Sequence, residues 1–121
     1  MKNLWTTIMV KDLEASLKFY TEVLDLKVAT QFNPTETMSI VMLGEGETKL
    51  ELIYNSDVKE INYTDFVSTG FGVESVEKTI SRLEANGVSI HSGPFEPSPF
   101  VKYFFVKDPN GYKIQLVENR N

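Results

Sequence analysis

The chain has 121 residues, of which 41% are hydrophobic and 24% charged, the mix of one soluble globular domain large enough to bury a core. A formal net charge of −5 argues against nucleic acid and anionic membranes as partners, and the lack of a long apolar run or a signal-peptide core makes a cytoplasmic location the expectation. The absence of cysteine excludes disulfides, thiolate metal sites and cysteine nucleophiles, and the single histidine, His91, excludes any site needing two imidazoles from one chain.

Leu4 to Val10 is rich in bulky and β-branched residues and predicts a first strand. Asp12 has the chemistry of an N-cap, because its carboxylate accepts from free backbone N–H groups, and Leu13, Leu17, Tyr20 and Leu24 follow at helical spacing. Lys27 to Phe32 predicts a second strand ended by Asn33-Pro34, Met38 to Leu43 a third, and, across the Gly44-Glu45-Gly46 turn, Lys49 to Tyr54 a fourth. The polar stretch Asn55 to Thr64 reads as a linker.

Phe66 to Val73 opens a second series as a strand. Ser75 is the next N-cap candidate, Val76, Ile80 and Leu83 form an apolar helical face, and Asn86-Gly87 ends it. Val88 to His91 predicts a short strand, and Ser92 to Pro99, with Gly93, Pro94, Pro97 and Pro99, an irregular loop. Phe100 to Val106 predicts a strand, Asp108-Pro109-Asn110-Gly111 a turn, and Tyr112 to Glu118 a final strand.

Both halves therefore read β-α-β-β-β. An offset of 63, set by Val10 and Val73, lays Asp12 on Ser75, Leu13 on Val76, Leu17 on Ile80 and Tyr20 on Leu83. An offset of 64 lays Lys49 on Lys113 and Glu51 on Gln115. The fold expected is α+β: two tandem βαβββ modules, at about residues 3–55 and 65–119, within a single domain spanning 1–121.

Strand periodicity then sorts the faces. Trp5, Thr7 and Met9 share one face with Lys49, Glu51 and Ile53, while Leu50 and Leu52 point to the core. Ser68, Gly70 and Gly72 likewise share a face with Lys113, Gln115 and Val117, with Ile114 and Leu116 behind. For Phe100 to Val106 both parities stay open, because the preceding loop hides the register. Phe95, Phe100, Tyr103, Phe104 and Phe105 form an aromatic cluster read as core plus dimer contact, or as a lid. His91 reads as a rim residue.

The segments Val10-Lys11-Asp12-Leu13-Glu14 to Phe19-Tyr20, Val23-Leu24-Asp25-Leu26 and Asp108-Pro109-Asn110-Gly111-Tyr112-Lys113-Ile114-Gln115-Leu116 resemble the vicinal oxygen chelate superfamily, which includes glyoxalase I, the fosfomycin- and bleomycin-resistance proteins and extradiol dioxygenases. The resemblance implies a curved, cup-shaped mixed sheet, a homodimer, and in enzymatic members a divalent metal held by His and Glu side chains. The matching positions are Trp5, Glu51, Ser68 and Gln115, where glyoxalase I-like enzymes have His, Glu, His and Glu. Only Glu51 is retained.

A divalent ion needs several lone-pair donors at about 2.0–2.3 Å. The Trp5 indole nitrogen only donates, Ser68 is a poor ligand unless ionised, and Gln115 offers a neutral amide oxygen. The expectation is therefore a metal-independent small-molecule binder with no cofactor, resembling the bleomycin-resistance type. Trp5 and Glu51 would hold a cationic or planar aromatic ligand, and Ser68 and Gln115 would act as hydrogen-bonding walls. Glu51 is also the candidate general base, or else a remnant carboxylate bonded to Gln115, Lys49 or Lys113. Three rivals stand beside this: a metal-dependent lyase, isomerase or dioxygenase; a metal-free enzyme using Glu51; and a partner-binding protein whose cup is plugged.

Overall fold

In the computed structural model, which describes residues 1–120, Leu50 and Leu52 are buried while Lys49, Glu51 and Ile53 around them stay half-exposed. Alternating side chains give that pattern when one face of a sheet is covered and the other is open. Ile114 and Leu116 repeat it against Lys113, Gln115 and Val117. The chain divides into two compact units, Met1–Asn62 and the residues from Tyr63 onward, built to one plan.

The first unit runs β1 (Trp5–Met9), α1 (Leu13–Leu17), β2 (Val28–Phe32), β3 (Met38–Leu43) and β4 (Lys49–Asn55). Its sheet order is β1-β4-β3-β2, with β1 and β4 parallel and the other neighbours antiparallel. Asp12 caps α1 as predicted, its Oδ1 accepting the Ala15 N–H at 3.1 Å. The helix does not stay regular: α1 runs on as a π-helical stretch, Lys18–Val23, and the Leu24 N–H reaches the Phe19 carbonyl at 3.0 Å. Within that stretch the adjacent rings of Phe19 and Tyr20 are both buried and meet edge to face at 5.0 Å. Val41, Leu43, Leu50 and Leu52 complete the core on the sheet side.

The second unit runs β5 (Ser68–Gly72), α2 (Val76–Ala85), β6 (Ser92–Ser98), β7 (Val101–Lys107) and β8 (Lys113–Asn119), in sheet order β5-β8-β7-β6. Two devices satisfy the start of α2. Ser75 Oγ accepts the Lys78 N–H at 3.2 Å, and the carboxylate of Glu118, from β8, accepts the Val76 N–H at 2.8 Å. The 108–111 turn is held by Asp108, whose Oδ1 accepts from the backbone N–H groups of Asn110 and Tyr112 at 2.9 and 2.8 Å. Gly111 closes that turn at φ +103°, a conformation that suits glycine.

One element lies elsewhere than expected. Val88 to His91 is not a strand, and the proline-rich Ser92–Ser98 is. As the edge strand, β6 pairs only with β7, and its register shifts between Ser92 and Phe95 and again between Phe95 and Ser98. An edge with bulges is where a strand tolerates prolines, because one side of the backbone needs no ladder partner. The fifth strand also starts later than predicted, at Ser68, leaving Phe66 exposed before it.

The registers repeat the duplication. Trp5 faces Lys49 and Thr7 faces Glu51 across β1 and β4; Ser68 faces Lys113 and Gly70 faces Gln115 across β5 and β8. These are the offsets of 63 and 64 read from the residues.

Candidate functional site

Each unit leaves one face of its sheet open, and the register fixes what stands there. In the first unit Thr7, Glu51, Met42 and Thr30 form one row across the four strands, and Met9, Ile53, Ile40 and Phe32 the next. Trp5 and Lys49 begin the face at its other end. Trp5 is 47% exposed as a residue, so it does not fill a core position. Thr7 Oγ1 donates to Glu51 Oε1 at 2.6 Å, a short charge-assisted bond that fixes the carboxylate on the open face. The Lys49 ammonium donates to the Gly46 carbonyl instead of pairing with Glu51. The carboxylate's neighbour is therefore Thr7; parity places that threonine on this face, but its pairing with Glu51 joins distant strands and is not written in local sequence.

In the second unit Gly70, Gln115, Phe105 and Ser92 form one row, and Gly72, Val117, Tyr103 and Phe95 the next. Ser68, Lys113 and Lys107 form a third. This settles the parity of β7: Tyr103 and Phe105 stand on the face of Gln115, while Phe104 and Val106 are buried. Phe95 lies 5.4 Å from Tyr103 and Tyr103 lies 5.7 Å from Phe105, centroid to centroid. The Lys113 ammonium sits 4.4 Å from the Phe105 ring centre. Phe100 takes no part in this row; it lies exposed in the turn between β6 and β7. His91 is exposed, and its backbone N–H donates to the Phe105 carbonyl at 2.8 Å.

Charge on this unit is arranged around Asp65. Lys107 donates to its carboxylate and, with smaller contributions from the fields of Lys107 itself, His91 and Lys113, holds the carboxyl below its usual range. Lys107 also lies 5.1 Å from the centre of the Tyr63 ring.

The four residues singled out from sequence thus fall two to a unit, Trp5 and Glu51 in the first, Ser68 and Gln115 in the second, at equivalent register positions. Their donor chemistry does not match the His, Glu, His and Glu set that the resemblance to glyoxalase I-like enzymes implies at these positions. The first unit offers one carboxylate beside an indole, and the second an amide beside a hydroxyl. Among the described residues no group of three or more His, Asp or Glu side chains is gathered as a divalent ion would need. None of the helices among the described residues is long and apolar enough to cross a membrane.

A model of the Glyoxalase/Bleomycin resistance protein/Dioxygenase superfamily matches residues 3–116. The lactoylglutathione lyases of Haemophilus influenzae and Escherichia coli O157:H7 are each 33% identical over 129 aligned positions, covering 100% of this chain and 95% of their own. The solved structure of glyoxalase I from Leishmania major, described as trypanothione-dependent, superposes with a TM-score of 0.83 at 35% identity, covering 99% of this chain and 87% of that one.

Proposed function

Because the chain belongs to the Glyoxalase/Bleomycin resistance protein/Dioxygenase superfamily, we propose that it is a glyoxalase-like lyase or isomerase of small carbonyl compounds in which Glu51 moves the proton. The relatives named for lactoylglutathione, a hydroxyacyl thioester, support this class of chemistry. The observation that carries the reading is the Thr7 to Glu51 hydrogen bond of 2.6 Å on an open sheet face. With Oε1 engaged by Thr7, the proton on the hydroxyl-bearing carbon beside the carbonyl goes to Oε2 and returns to the former carbonyl carbon, while the hydroxyl proton passes from the first oxygen to the second, so that the hydroxyl and the carbonyl exchange places.

Likeness to lactoylglutathione lyases weighs toward a divalent ion, while the donor set at Trp5, Ser68 and Gln115 weighs against it. No step above passes through one. The test is metal-stripped protein given the hemithioacetal of methylglyoxal and a thiol in deuterated water. Thioester formation is expected, with deuterium at the hydroxyl-bearing carbon only in the fraction of turnovers in which the Oε2 proton exchanges with solvent before it returns, and Glu51→Gln should lower the rate at least about 100-fold. Wild-type protein that turns over only after nickel or zinc is added would overturn the metal-free form of the proposal.

A second reading, capture without turnover, is favoured by the loss of three of the four chelating positions and by the exposed Trp5 beside Lys49 and Glu51. It is separated from the first by a thermal-shift screen of cationic and aromatic compounds, since a ligand of the native state raises apparent stability. The shift should vanish in Trp5→Ala, and no turnover should accompany it.

A further inference from the structure

Two Asn-Gly pairs occur in the chain, Asn86-Gly87 at the end of α2 and Asn110-Gly111 in the turn before β8. An asparagine followed by glycine is open to attack on its own side chain, because the glycine nitrogen has no Cβ beside it as a shield. The reaction requires the glycine N–H to leave its acceptor and the asparagine amide to turn toward it. The local sequence is the same at both places, so the fold decides which one reacts.

At Asn110 the fold locks both groups. Its Nδ2 donates to Asp108 Oδ2 at 3.0 Å and its backbone N–H to Asp108 Oδ1 at 2.9 Å, and the two residues are each only 5% exposed. The attacking nitrogen, that of Gly111, donates to the Asp108 carbonyl at 3.0 Å, and the Tyr63 ring packs where a Cβ would stand. Freeing this asparagine means dismantling a buried turn.

At Asn86 the same groups are tied only to the last turn of a helix. Its Nδ2 donates to the Arg82 carbonyl at 2.8 Å, and the Gly87 N–H to the Glu84 carbonyl at 3.0 Å. Ala85, Asn86 and Gly87 are all exposed, and a Cβ built on Gly87 would meet nothing within 4 Å. A helix end of this kind frays at little cost.

We propose that Asn86 is a site of spontaneous deamidation that loosens the end of α2, while Asn110 is protected by its turn. The Gly87 nitrogen, its proton passed to solvent, attacks Asn86 Cγ. The N–Cγ bond forms, the Cγ–Nδ2 bond breaks, and ammonia leaves a cyclic imide behind. Water opens the imide at either carbonyl to give aspartate or isoaspartate, so the sum is one water consumed and one ammonia released. Neither product has the amide that donated to Arg82, and each puts a negative charge at the end of α2 where the helix dipole is already negative. The site needs neither Glu51 nor turnover, so it stands or falls apart from the lyase reading.

The test holds the whole chain at mildly alkaline pH, with and without concentrated urea, and follows the peptide around each pair by mass and by chromatography that resolves isoaspartate from aspartate. Without urea, Asn86 should convert at least about tenfold faster than Asn110, the margin between a fraying helix end and a buried turn. In urea the two should convert at similar rates. Asn86→Asp, which reproduces one product, should melt about 1–4 °C below wild type. Asn110 keeping pace with Asn86 in the folded chain, Asn86 staying intact there while urea converts it, or the same lag persisting in urea would overturn the proposal. An unchanged melting temperature in Asn86→Asp would overturn the loosening of α2.

Discussion

Thr7 and Gly70 hold the same place in the two units, one strand away from Glu51 and Gln115 respectively, and they differ in what they give. Thr7 donates a hydroxyl to Glu51 at 2.6 Å, whereas Gly70 has no side chain and leaves the Gln115 amide beside open space. Duplication therefore produced one face with a fixed carboxylate and one with room. If the fixed carboxylate is the working group, Thr7→Val should lower kcat/KM for the proton transfer about tenfold with the fold intact, because an unheld carboxylate samples unproductive rotamers. Thr7→Ser, which keeps the hydroxyl, should recover most of the rate. Equal activity in Thr7→Val and wild type would remove Thr7 from the mechanism.

The order of elements was readable because its signals are local. Asp12 and Ser75 cap helices within three residues, and Asp108 to Gly111 turns on its own side chains. The buried set Leu50, Leu52, Ile114 and Leu116 follows from alternation alone. What escaped was non-local. Pro94 and Pro97 argued for a loop, and only the edge position of β6 makes a strand of that segment. Thr7 meets Glu51 across 44 residues, and Tyr103 joins the open face only once β7 is registered on β8. Neither pairing can be read from composition or spacing.

Acid should loosen the second unit first at α2. Glu118 is only 12% exposed, and its carboxyl is held below the usual range by the Val76 N–H and then by Arg120. A depressed carboxyl stabilises the fold fully above the unfolded value of about 4.3 and loses that contribution as pH falls through the lower, folded value. Thermal melts from pH 7 to pH 3 are therefore expected to show Glu118→Gln melting a few degrees below wild type at neutral pH. The two curves should converge below about pH 4. A gap of constant size across that range would mean that packing at Glu118, not its charge, supports the helix.

Metal content offers a direct check on the donor argument. Protein purified after expression with nickel, zinc, iron or manganese in excess, then dialysed without chelator, should carry well under one ion per chain by elemental analysis. Trp5 and Ser68 cannot replace imidazoles, and one carboxylate with one amide leaves most of an ion's ligation to water. A full equivalent of ion surviving dialysis would place ligands outside the four positions considered. It would also favour a metal-dependent lyase over the metal-free reading.

The turn that carries the most specific sequence signal has a partner outside the motif. Tyr63 lies against Gly111: a Cβ at that glycine would sit 3.0 Å from two carbons of the ring. Gly111→Ala should therefore destabilise the protein by a φ of +103° that alanine rarely adopts, with crowding against the Tyr63 ring adding to it. The backbone part is about 1–3 kcal/mol. Combining Gly111→Ala with Tyr63→Ala separates the two, since the second change removes the ring and leaves the strain. A double-mutant cycle by chemical denaturation should give a coupling of about 0.5–3 kcal/mol, with the double mutant more stable than the two single losses summed. Strict additivity would show that Tyr63 does not press on the turn in solution and that strain alone reserves this position for glycine.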